Sequence, residues 1–177
     1  IFSTDGKLLR EVRAPASHTG VTLGLWQAGK NAKSEIVAVY QDEQGMGLHQ
    51  FDSEIKDVKR MTLPFRRPVG NVSVGDVTGD STLEYVVGSG TGDEPGVAFF
   101  AADGTRLRLF SGYNTSYRGG IRTALGDYDG DGKNDVLLAA QGGGQPVSVW
   151  SSQVRSIVDL TPFGAESPGV IVIPFYR

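Results

Sequence analysis

Four aspartates crowd the segment GDYDGDGKNDVLL, Gly126–Leu138. Counted from Asp127, they stand at positions 1, 3, 5 and 9 (Asp127, Asp129, Asp131 and Asp135), with Gly132 at 6 and Lys133 at 7. Alternating carboxylates on a curled loop converge on one point, as oxygens do around a hard cation. A glycine at the sixth position permits the sharp bend, and the seventh position offers its backbone carbonyl, so a lysine is tolerated there. Calcium, with its six to eight oxygens, fits this set better than magnesium, which keeps several waters. Zinc would want Cys or His close by. The loop is no EF-hand, because the twelfth position is Leu138 and an apolar, strand-like run follows at once. The competing reading is a solvated turn, since Asp and Gly are ordinary turn residues. Without a cation, however, the four carboxylates would repel one another. The sequence therefore predicts Ca2+ held by Asp127, Asp129, Asp131 and Asp135, with Lys133 contributing its carbonyl.

An altered copy lies upstream in GDVTGDSTLEYVV, where the equivalents are Asp76, Thr78, Asp80, Thr82 (by backbone) and Glu84. Thr78 brings a hydroxyl instead of a carboxylate and Ser81 replaces the bend glycine, so weaker binding or none is expected. A third equivalent, GLWQAGKNAKSEIVAV, keeps one acid, Glu35, beside Lys30 and Lys33. That turn must hold without metal, with a lysine expected to replace the cation.

These loops sit inside a larger repeat. Phe2, Phe51, Phe100 and Trp150 recur at intervals of about 50 residues, as do Gly20, Gly70, Gly120 and Gly169. An apolar run follows each glycine, and each unit reads as four short strands, with Asp5-Gly6 and Asp103-Gly104 marking the last hairpin. Four strands at this period predict an all-β chain of β-propeller-type blades, each needing neighbours to cover its faces. The alternative is a β-sandwich with chance self-similarity. The predicted organisation is a single repeat domain over 1–177: a partial blade at 1–20, blades at 21–70, 71–120 and 121–169, and the first strand of another at 170–177. That is about 3.5 blades, short of the four to eight of a closed ring. Two copies carry about seven units, so a two-chain ring is arithmetically consistent; the preferred expectation is that other chains or further sequence supply the rest.

Composition narrows the functional class. Charged residues at 21%, a net charge of −3 and hydrophobic residues at 39% describe a globular chain, and the acidic balance argues against nucleic acid. No apolar run approaches the ~20 residues of a membrane-spanning helix, so no membrane insertion is expected. The absence of cysteine excludes disulfides and thiolate metal sites. The chain starts at Ile1 without an initiator Met, which we read as a removed leader or a piece of a longer protein.

Other chemistry is sparse. His18 and His49 lie in different units with no evident acidic or Ser partner pattern, and no GxSxG motif is present. The runs Gly88–Gly96 and Gln141–Val147 look phosphate-like but precede strands, so they read as turns. Lys7, Arg10, Arg13, Lys56, Lys59, Arg60, Arg106, Arg108 and Arg155 fall on or beside the fourth strand of a unit, where cations protect an outer edge. An anionic polysaccharide or acidic partner bound around that rim is the functional alternative. Phe51, Phe99, Phe100 and Trp150 are expected in the core between blades.

The Asp-rich loops within four-stranded units resemble FG-GAP/VCBS-type repeats, the blades of integrin-α-like propellers and of many bacterial surface proteins. GDVTGD, GDYDGDGKNDVLL and the lead-in YNTSYRGGIRTALGD (Tyr113–Asp127) carry the resemblance. The literal Phe-Gly and Gly-Ala-Pro elements are mostly missing; Phe163-Gly164-Ala165 comes nearest. The resemblance implies calcium that stiffens blades, an extracellular, cell-surface or periplasmic location, and a structural or adhesive role. A lectin-like carbohydrate-binding module is the alternative. Catalysis is not expected, and a polysaccharide lyase or hydrolase keeps only a small share. The expected partners are chains or blades that complete the propeller, among them a second copy.

Overall fold

The computed structural model of the chain describes residues 1, 3–11, 20–161, 169 and 171–172. Within them lie twelve strands and no helix. The first sheet joins β1 (Thr22–Trp26), β2 (Glu35–Asp42), β3 (Gly45–Phe51) and β4 (Asp57–Thr62). The second joins β5 (Asn71–Gly75), β6 (Glu84–Gly88), β7 (Gly96–Phe100) and β8 (Arg106–Ser111). The third joins β9 (Ile121–Gly126), β10 (Asp135–Ala140), β11 (Val147–Trp150) and β12 (Ser156–Leu160). Every neighbouring pair is antiparallel, so each sheet is a meander of the propeller-blade kind.

The inner strands β1, β5 and β9 lie side by side, and β4, β8 and β12 are outermost and the most exposed of their blades beyond the first strand. Middle strands are covered on both faces, which is why EYVVG and GVAFF read as continuous apolar runs. Val37, Val39, Leu48 and Leu63 of the first blade pack with Tyr85, Val87 and Phe100 of the second. Val86, Val97 and Phe99 turn the other way, onto Ile121, Val136 and Leu138 of the third. Ala38, Tyr40 and Phe51 form a smaller cluster on the far face of the first blade.

Gly70 and Gly120 stand where one blade passes close to the next, whereas a Cβ on Gly20 would meet nothing within 4 Å. A Cβ on Gly70 would lie 1.9 Å from the carbonyl oxygen of Ile121, a separation no side chain tolerates. The recurring aromatics sit at a bulge. In each sheet the register slips one residue at the end of the third strand, between Gln50 and Phe51, Phe99 and Phe100, and Val149 and Trp150. A shared turn follows. Asp52, Ala101 and Ser151 each accept and donate the same pair of backbone hydrogen bonds, and Ser3 heads a fourth copy. That copy, with a lone bridge at Leu8, is what the described residues 1–11 form of the expected partial blade; they hold no strand. The expected strand at 170–177 and the readings placed on Phe2, Arg13, His18 and Phe163-Gly164-Ala165 fall largely or wholly outside the described residues.

Candidate metal centre

β9 ends at Gly126 and β10 begins at Asp135, so the acidic segment is the hairpin connection at one end of the third blade. Its carboxylates organise the loop backbone. Asp127 accepts the N–H of Gly130 through Oδ1 (2.8 Å) and of Gly132 through Oδ2 (3.0 Å). Asp135 Oδ2 accepts from Tyr128 (2.9 Å) and Asp129 (3.3 Å). Gly130 and Gly132 have φ of 79° and 85°, which curl the chain back on itself. One carboxylate oxygen each from Asp127, Asp129 and Asp135 lies within 4.8 Å of the others. Asp131 stands outside this group, its Oδ1 accepting the Lys133 N–H at 2.9 Å.

Asp135 is buried, with 3% of its surface exposed. Burial, with the neighbouring Asp129 and Asp131 charges, pushes its carboxyl above the ordinary carboxylate value despite two backbone donors. Among the described residues no ion pair is recorded for any of the three clustered carboxylates. Each carboxylate oxygen has two lone pairs, so those that accept a backbone N–H keep capacity for a cation. The donor set is hard oxygen on a curled, hydrogen-bonded loop, which fits calcium in charge and chemistry.

The altered copy between β5 and β6 follows the same template. Asp76 accepts from Gly79 (2.6 Å) and Ser81 (2.8 Å), and Glu84 Oε2 from Val77 (2.9 Å) and Thr78 (3.2 Å). Where Gly132 stands in the third blade, Ser81 takes the left-handed conformation at φ 67°. Here a hydroxyl occupies the middle of the loop. Thr82 Oγ1 is bonded to Asp80 Oδ1 (2.5 Å) and lies 3.1 Å from Glu84 Oε1. Thr78, Asp80, Thr82 and Glu84 are thus linked by hydrogen bonds of their own, while Asp76 accepts the backbone N–H groups of Gly79 and Ser81.

The first-blade loop differs from expectation. No ion pair joins Lys30 or Lys33 to Glu35 among the described residues; Glu35 instead accepts from Gln50 Nε2, and Gln50 Oε1 accepts the buried Tyr85 hydroxyl. An amide bridging to the next blade does the work assigned to a lysine, because the loop that carries both lysines is exposed.

The two acidic loops touch. Asn134 donates its N–H to the Asp76 carbonyl (2.9 Å), and the methylenes of Lys133 cross Gly79 so closely that a Cβ there would meet them at 2.6 Å. The loop of the third blade is therefore fastened to that of the second.

His49 departs from its sequence reading. The pleat of β2 and β3 and the turn into β4 give it two acidic partners, Asp57 Oδ2 at 2.7 Å from Nδ1 and Asp42 Oδ2 at 3.3 Å from Nε2. Arg60 grips Asp42 with Nε (2.7 Å) and Nη2 (2.8 Å), and Tyr40 stacks on the imidazole at 4.4 Å. Period-2 alternation was the available signal: Tyr40 and Asp42 share one face of β2, and Gly47 and His49 the matching face of β3. Arg60 thus serves an internal pair, and Lys59 caps the Ala102 carbonyl beneath Trp26 and Tyr85, so neither is a free cation of the outer edge.

Residues 119–154, which span the acidic loop and three strands of the third blade, match the family model described as FG-GAP repeat. Comparison with curated proteins finds no significant match.

Proposed function

We propose that this chain, whose third blade is an FG-GAP-type repeat, is a calcium-stabilised structural or adhesive propeller module working outside the cell or at its surface. The observation that carries this reading is the convergence of Asp127, Asp129 and Asp135 on a loop fastened to the next blade through Asn134 and Lys133. Calcium bound there neutralises carboxylates that otherwise repel, one of them buried, and stiffens the turn that delivers Val136 and Leu138 to the core between blades. Asp131 and the Lys133 carbonyl complete the proposed shell, together with water. The copy in the second blade has its own hydroxyl bridge and is proposed to hold its shape with little or no metal.

The role is a scaffold's. Both nitrogens of His49 are taken up by carboxylates and its ring is stacked, so this cluster braces a sheet face and offers no free ring nitrogen to a substrate. Titration of the chain with Ca2+ by calorimetry tests the proposal: one dominant site, lost in Asp129→Asn, supports it, and no heat above dilution refutes it.

A further inference from the structure

At the end of the blades opposite the acidic loops, a groove of about 750 Å3 opens between the first and second blades. Its walls are the β4–β5 connection, the β6–β7 turn, the end of β8 and Arg118 beyond it; Phe65, Leu109 and Phe110 supply apolar surface, and Arg66, Arg67 and Arg118 supply charge. The walls are fixed by short bonds. Asp93 Oδ2 accepts the N–H groups of Arg66 (2.9 Å) and Arg67 (2.8 Å), and Gly92 donates to the Arg118 carbonyl (2.8 Å). The Arg67 stem lies over Gly92, where an added Cβ would sit 3.6 Å from its Cγ. Among the described residues the guanidinium groups of Arg66 and Arg67 have no hydrogen-bond or ion-pair partner, while Arg118 faces Glu94 at 3.8 Å and caps the Thr115 and Tyr117 carbonyls.

The repeat supplies its own comparison. Fifty residues on, Tyr117 stands where Arg67 does and Gly142 where Gly92 does. There the Tyr117 hydroxyl donates to the Gly142 carbonyl and the Tyr113 hydroxyl to the Pro146 carbonyl (2.8 Å), the two rings meeting edge to face at 5.3 Å. Between the second and third blades the corresponding space is closed by tyrosines bonded to the facing loop. Between the first and second it is open and carries the guanidinium groups of Arg66 and Arg67, unpaired among the described residues.

We infer that this groove binds an acidic saccharide chain, the guanidinium groups taking its carboxylate or sulfate groups and the apolar wall taking the C–H face of a sugar ring. Arg forks match planar oxyanions in two-point contacts, and holding the stem and backbone in place lowers the cost of ordering them. An acidic peptide fits less well. Extended peptides are held through main-chain bonds, and the N–H groups of Arg66, Arg67, Gly92, Asp93, Gly96 and Gly112 are already committed within the walls. The site differs from the rim of edge cations and does not depend on the metal reading.

The test measures binding by calorimetry in millimolar calcium. The probes are a hyaluronan hexasaccharide (carboxylate only), a chondroitin sulfate hexasaccharide (carboxylate and sulfate), neutral chitohexaose and hexaglutamate. At least one acidic saccharide should bind, with the pair reporting which oxyanion is preferred. Arg66→Ser/Arg67→Ser should weaken binding at least ~10-fold at unchanged melting temperature, and Arg106→Ser/Arg108→Ser on the blade edge should leave it unchanged. Arg67→Tyr, copying the closed groove, should also abolish it. Binding to neither acidic saccharide, equal losses from both double variants, or equal affinity for hexaglutamate or chitohexaose would overturn the inference.

Discussion

At the residue scale, several side chains hold conformations that their neighbours impose. Ile55 and Val154 occupy the left-handed position of the third-to-fourth-strand turn at φ of 66° and 61°, where Gly6 and Gly104 stand in the other two copies. A β-branched residue there costs ~1–2 kcal/mol, against ~0.5–1 kcal/mol of entropy lost on fixing a glycine. Val154→Gly should therefore raise stability by up to ~1 kcal/mol, read as a higher urea midpoint at unchanged slope. Ile55→Gly should gain less, because Ile55 also packs against the Ala38, Tyr40 and Phe51 cluster. Asp42 carries a pH dependence. The two-point grip of Arg60 holds its carboxyl well below the usual carboxylate range, so its stabilisation is complete above the ordinary value near ~4 and is lost as pH falls through the lower folded-state value. Asp42→Asn should lower stability at pH 7 by ~1–3 kcal/mol, and the gap to wild type should shrink on acidification. A gap that widens below pH 4 would contradict this.

At the scale of elements, the informative contact is loop on loop. Gly79 has φ 79° and lies under the Lys133 stem, whereas Gly104 has φ 92° and only Met61 at an ordinary 3.7 Å. Both Gly→Ala changes incur the conformational cost of ~1–2 kcal/mol, and Gly79→Ala must also displace Lys133. Gly79→Ala should therefore be the more destabilising, and Lys133→Ala should erase the excess in a double-mutant cycle. An additive cycle would mean the two loops are not coupled. This contact also shows what the sequence could reveal. The acidic spacing, the bend glycines and the aromatic period all lie along the chain and were legible in it. The pairing of His49 with Asp42 and Asp57 was legible only in part: alternation gives the matching faces of Asp42 and His49, but the contact needs two strands in register and a turn. The Gln50 bridge from Glu35 to Tyr85 was not legible, because a short apolar strand says nothing of which polar residue faces its neighbour. Asp131 shows that spacing does not set a side chain's direction: its Oδ1 accepts the Lys133 N–H, and it lies outside the group of three carboxylates.

At the scale of the molecule, three blades share two cores, and the outward face of the first blade stays partly apolar. Leu23 and Leu25 on β1 are 66% and 65% exposed. They alternate with Thr22, Gly24 and Trp26, whose side of the strand meets the second blade. Neighbouring leucines of this exposure favour association with another apolar sheet face. We expect light scattering to give a concentration-dependent mass above the 18.9 kDa of one chain, falling to that value in Leu23→Ser/Leu25→Ser. A wild-type chain that stays at one mass throughout would contradict the expectation.

At the same scale, the proposed calcium joins the carboxylates of the third blade and through them steadies the stack. Asp129 is the cleaner probe of the loop, since Asp127 secures two backbone N–H groups, while Asp129 secures only that of Asp131. The most direct measurement is the melting temperature of wild type and Asp129→Asn, in EDTA and in calcium. Ligand at a hundredfold excess over its dissociation constant contributes ~2.7 kcal/mol, or several degrees for a chain of this size. That rise is expected in wild type, and its loss in Asp129→Asn. A wild-type melting temperature that is the same in EDTA and in calcium would contradict it.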